Sequence, residues 1–92
     1  MANFFVTYDL NGSHPTHQDM DDHIKGICPV HGRVLETVWY VQYQGSSVQL
    51  RDRLRTIMGS EDLLLVIEAS DAAWTRLLVD SESLINAWRN AA

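Results

Sequence analysis

The order of apolar and amphipathic segments points to an α+β domain, β-α-β-β-α-β with a helical tail, on three grounds. Segments rich in β-branched and aromatic residues at 3–10, 33–43 and 63–67 read as strands. Two amphipathic segments separate them, each opened by a hydroxyl residue suited to an N-cap and followed by glycine. The 92 residues have room for one hydrophobic core only, so 1–92 is read as a single domain, with 1–70 as its core and 71–92 as a tail.

The first strand spans 3–10. Phe4, Val6 and Tyr8 share one face by alternation, and Phe5, Thr7 and Asp9 the other. Asn11-Gly12-Ser13-His14-Pro15 is a loop by its turn formers. Thr16 then caps a helix whose first turns hold Asp19, Asp21 and Asp22, where the helix dipole favours acids. Met20, His23, Ile24 and Ile27 line one side of it, and Gly26, Pro29 and Gly32 end it.

Arg33 to Tyr43 is too long for one strand, so it divides into 33–36 and 38–43 about a turn near Glu36-Thr37. Ser46 and Gln49 have capping-box spacing. The helix they open carries Leu50, Leu54, Ile57 and Met58 on its apolar face, shows Arg51, Asp52, Arg53 and Arg55 to solvent, and stops at Gly59. Leu63 to Ile67 is an unbroken apolar run, which suits a strand covered on both faces. In the tail come Trp74, Leu77 and Leu78, then a helical segment from Ser81 with Leu84, Ile85 and Trp88 at helical spacing.

This order is the ferredoxin-like arrangement, a four-stranded antiparallel sheet with two helices on one face, here extended by a C-terminal Trp-containing helical tail. In the strands 3–10 and 63–67 both alternating sets are apolar, yet two helices cover one face only. The tail, a second copy of the chain, or both must cover the other, and a homodimer is expected.

Composition narrows the function. A net charge of −5 opposes a broad sequence-independent grip on nucleic acid, which needs many basic residues. Cys28 is the sole cysteine, which excludes an intramolecular disulfide and suits a reducing compartment. No signal-peptide pattern opens the chain and no apolar run approaches spanning length, so a soluble cytoplasmic protein is expected, not a membrane one. There is no glycine-rich phosphate loop and no Ser-His-Asp or Cys-His spacing above chance.

Asp9 is the foremost candidate for chemistry. A carboxylate at the end of a buried strand costs stability unless it is solvated, hydrogen-bonded or paired with a cation, and the competing reading makes it a cap of the following loop. His14, His17, His23, Cys28 and His31 cluster within 14–31, and the gaps in His14-Pro-Thr-His17 and Cys28-Pro-Val-His31 are of a kind seen at zinc sites. Solvated loop residues are the simpler account. Arg51, Arg53 and Arg55, with Arg33, form the local basic patch, and the first three are the nucleic-acid-binding candidates. Arg51 and Arg55 share a helix side while Arg53 points away, which favours a merely solvated face. Trp39, Trp74 and Trp88 read as core or interface residues rather than base-stacking platforms.

The N-terminal Phe5-Val6-Thr7-Tyr8-Asp9-Leu10, Glu36-Thr37-Val38-Trp39, the Arg-rich Leu50-Arg51-Asp52-Arg53-Leu54 and Leu64-Leu65-Val66-Ile67 together resemble the small CRISPR-associated adaptation subunit that partners the integrase. Small bacterial SinR-like proteins are similar too, through a Tyr-Asp-Leu strand end, a Gln-Asp pair like Gln18-Asp19 and a Trp- and Leu-containing tail. The resemblance covers most of the chain and rests on pattern rather than on a long motif. It implies a homodimer that serves as an accessory or binding protein, with nucleic acid or a partner protein as its ligand. It also implies two alternatives. One is a magnesium-dependent endonuclease in which Asp9 of two protomers is catalytic and binds the metal. The other is a toxin-like ribonuclease of related fold. The three-His loop, the acidic balance and the Trp-rich tail depart from the family's pattern.

Overall fold

A computed structural model describes residues 1–91; Ala92, the last residue of the expected domain, lies outside the described residues. The fold is α+β and ferredoxin-like. Its elements are β1 (Ala2–Asp9), α1 (His17–Ile27), β2 (His31–Leu35), β3 (Val38–Tyr43), α2 (Ser47–Leu54), β4 (Leu63–Glu68) and α3 (Ser81–Arg89). A single 3-10 turn, Arg55–Ile57, extends α2. The four strands form one antiparallel sheet in the order β2-β3-β1-β4, so β1 is central and β4 an edge.

Local chemistry accounts for the helix starts. Thr16 and Asp19 close a reciprocal capping box on α1, and Ser46 and Gln49 close another on α2, each satisfying two backbone N–H groups that helix geometry leaves free. Asp80 caps α3 by accepting from the Ser83 N–H and hydroxyl, both at 3.0 Å. Gly45, at φ +155°, sits where a Cβ would press on the Tyr43 ring and on the Gln49 amide that caps α2.

The inner face of the sheet holds the main core: Phe4, Val6 and Tyr8 of β1, Trp39, Val41 and Tyr43 of β3, Met20, Ile24 and Cys28 from α1 and its end, and Leu50 and Leu54 of α2. The alternation expected of β1 is therefore observed. Several boundaries move. β1 runs over 2–9 instead of 3–10, and α1 continues through Gly26 to Ile27. Strand β2 starts at His31 and not at 33, because His31 and Gly32 already pair with Val41 and Tyr40. The second helix tightens into the 3-10 turn after Leu54, which leaves Ile57 exposed.

A second, smaller core occupies the outer face. Val34, Tyr40 and Leu84 are buried there, with Phe5, Trp74, Leu77 and Trp88 packed around them. The tail thus covers β2, β3 and part of β1. Trp88 stacks on Tyr40 at 5.8 Å and 21° and lies 5.9 Å from Phe5. A polar pair across β1 and β3, Asn3 and Gln42, completes the docking. Gln42 Nε2 donates to the Ala87 carbonyl at 2.6 Å and Asn3 Nδ2 reaches the Trp88 carbonyl at 3.5 Å, serving carbonyls of the last helical turn. Leu78 does not join this core, since its side chain is exposed. Its N–H instead donates to the Val34 carbonyl at 2.9 Å, so the tail backbone covers the β2 edge.

The tail stops short of β4. Leu63, Leu65 and Ile67 on the outer face remain 60, 54 and 46% exposed. The expectation that this strand is covered on both faces is overturned for the single chain. No helix is long and apolar enough to cross a membrane among the described residues.

Candidate functional site

Asp9 ends β1 opposite Leu63 of β4, on the outer face of the sheet. It is exposed and lines a shallow hollow of about 160 Å³ with Thr7, Tyr8 and Leu63 to Leu65. Its carboxylate has no hydrogen-bond or ion-pair partner among the described residues, so solvation offsets the cost of its position.

The loop-capping role weighed for Asp9 belongs to Asp62. Asp62 Oδ1 accepts the Asn11 N–H at 2.7 Å and Oδ2 accepts the Gly59 N–H at 2.8 Å, while Asn11 Nδ2 donates to the Glu61 carbonyl at 2.8 Å. Asp9 alternates away from these amides, whereas Asp62 enters β4 between the two loops. The i,i+3 relation of Gly59 to Asp62 was the available signal. The backbone N–H groups of Asn11, Gly59 and Gly12 hold the Asp62 carboxyl below its ordinary value. A depressed folded-state pKa means that the stabilisation is present above the unfolded carboxyl value, about pH 4, and is lost as pH falls through the folded one. Asp62→Asn is therefore expected to be less stable than the native chain at about pH 7 and to show a smaller deficit at about pH 3. Urea titrations at both pH values check this, and an equal deficit at both would contradict it.

The arginine patch divides. Arg51 pairs with Asp52 at 3.0 Å, and Arg53 lies over the Tyr43 ring at 6.0 Å. Arg51 and Arg55 line a hollow of about 400 Å³ with Met58, Gly59, Ser60 and Asp62. The Asp62 carboxylate in its wall offsets their attraction for a phosphate.

The histidines do not converge either. His31 Nδ1 donates to the Cys28 carbonyl at 2.9 Å, and His23 Nε2 donates to the Arg53 carbonyl at 2.9 Å, fastening α1 to α2. His17 lies beside the Tyr8 ring, and His14 sits in the same open hollow as His23. Cys28 points into the main core, where burial pushes its thiol up to about 11. Among the described residues, no three His, Cys, Asp or Glu side chains are placed to hold a metal ion.

One further polar cluster joins residues distant in sequence. Tyr8 Oη donates to Asp21 Oδ1 at 3.0 Å, Arg33 Nη2 pairs with Asp21 Oδ2 at 2.7 Å, and the Arg33 guanidinium lies 5.3 Å from the Trp39 ring centre. Burial first, and then Asp21, raise the Tyr8 phenol above its ordinary value. The cluster ties α1 to β1 and β2. Its residues are far apart in sequence and carry no motif, so only the fold brings them together.

No family model, no curated protein and no solved structure matches the chain.

Proposed function

We propose that the protein is a homodimeric accessory or binding module, similar to the small CRISPR-associated adaptation subunit, that serves nucleic-acid metabolism or defence. The exposed row Leu63, Leu65 and Ile67 points to β4 as the side where copies meet: it is the part of the apolar outer face that the tail leaves bare. The ferredoxin-like frame supports the class. Light scattering is expected to give twice the chain mass of 10.5 kDa. Leu65→Asp, which sets a charge in that row from each copy, is expected to return the mass to that of one chain. A native protein that stays monomeric at high concentration would overturn the reading.

The unpartnered carboxylate of Asp9 supports a second reading, a magnesium-dependent endonuclease. One chain supplies a single ligand, so the ion would need Asp9 from both copies beside a two-fold axis. There it would activate water and stabilise charge on a phosphodiester. This reading expects cleavage of labelled RNA or DNA that EDTA and Asp9→Ala each abolish. Cleavage that survives Asp9→Ala would dismiss it, and identical Mg²⁺ calorimetry of the two proteins would dismiss the site.

A further inference from the structure

We infer that two copies join edge to edge through β4, in an antiparallel pairing centred on Val66, to make one eight-stranded sheet. This rests on the homodimer proposed above and specifies how it forms.

The backbone shows which groups are free. The Ala69 N–H donates to the Asn3 carbonyl at 2.9 Å, and the same register carries β1 and β4 through Phe5↔Ile67, Thr7↔Leu65 and Asp9↔Leu63. Antiparallel pairs alternate, so these odd-numbered residues of β4 turn their N–H and C=O toward β1. Leu64, Val66 and Glu68 therefore turn theirs outward, along an edge that no other element pairs among the described residues. The opposite edge is protected, since β2 is short, irregular between Arg33 and Leu35, and bonded at Val34 by the tail. Edge strand β4 has no bulge, proline or lysine, the devices that usually block pairing.

Symmetry, overlap and charge select the register. Residues opposed in an antiparallel pair share a face, so the axis passes midway between one residue and its own copy, and only axes at Leu65 or Val66 overlap five residues of β4. An axis at Leu65 would set Asp62 opposite the second copy's Glu68, two acids in contact. An axis at Val66 sets Asp62 opposite Ser70, Leu65 opposite Ile67, and Leu64 opposite Glu68. It makes about six main-chain bonds from the outward groups and joins the two apolar rows into one.

The same geometry separates the Asp9 carboxylates. Three strand spacings lie between one Asp9 and its twin across the sheet and six residues along it, which places them about 25 Å apart. They could not share an ion.

The test is the distance between nitroxide labels on Asp9→Cys, measured by pulsed electron resonance beside the mass of native and labelled protein. Position 9 is exposed, and Cys28 is buried with its thiol raised, so native protein should take up little label. A dimer with a distance centred near about 25 Å is expected. A dimer with labels under about 15 Å, as ion-sharing carboxylates at about 2 Å bonds would require, overturns the edge pairing and leaves the homodimer standing. A separation longer than about 25 Å by more than the reach of the two label side chains overturns it too, as does a native dimer that labelling at position 9 dissociates. A monomeric native protein overturns both readings.

Discussion

Phe4→Ala is expected to lower the unfolding free energy by about 3–5 kcal/mol, the cost of removing a large aromatic from a closed core. Phe4 is wholly buried on the central strand, its backbone paired to Val41 on one side and Glu68 on the other. Its ring meets Tyr43 edge-on at 6.3 Å and 73°. Because neighbours on both sides are held in register by the sheet, the site cannot collapse to fill the void. For a domain of this size the midpoint of thermal unfolding should fall by more than about 12 °C. Circular dichroism on heating measures it, and a shift under about 5 °C would show that Phe4 does not hold the core.

Trp88→Ala is the second large effect, about 3 kcal/mol, and its signature is regional. Trp88 wedges α3 against Tyr40 and Phe5, while the polar bonds from Gln42 and Asn3 hold the helix end. Without the indole those bonds become open to water and contribute little. Hydrogen exchange is then expected to rise across α3 while β1 and β3 keep their protection, because the inner core is separate from the outer one. Unchanged protection of 81–89 would mean that other contacts dock the helix.

Much of the frame was legible because it rests on local rules. The capping pairs Thr16 with Asp19 and Ser46 with Gln49 declare helix starts without reference to the rest of the chain. Alternation in β1 sorts Phe4, Val6 and Tyr8 from Phe5, Thr7 and Asp9 by geometry alone. The β2 boundary was less legible, since Gly32 and His31 look like loop and become strand only by pairing with β3. The candidate site was legible in part. Asp9 could be located, but its want of a partner and the transfer of the capping role to Asp62 depend on which loops meet.

Element order, the two alternating sets of each strand and the surplus of apolar positions are readable from residue spacing, since all three follow from periods of 2 and 3.6 residues. Where that surplus is covered depends on how the folded chain packs. The reason is reach: α3 returns over β2, β3 and part of β1, held by Trp88 and by the Leu78 backbone, and β4 lies beyond it. The period of a strand says which side chains share a face, but the path of the chain decides which of them still meet water.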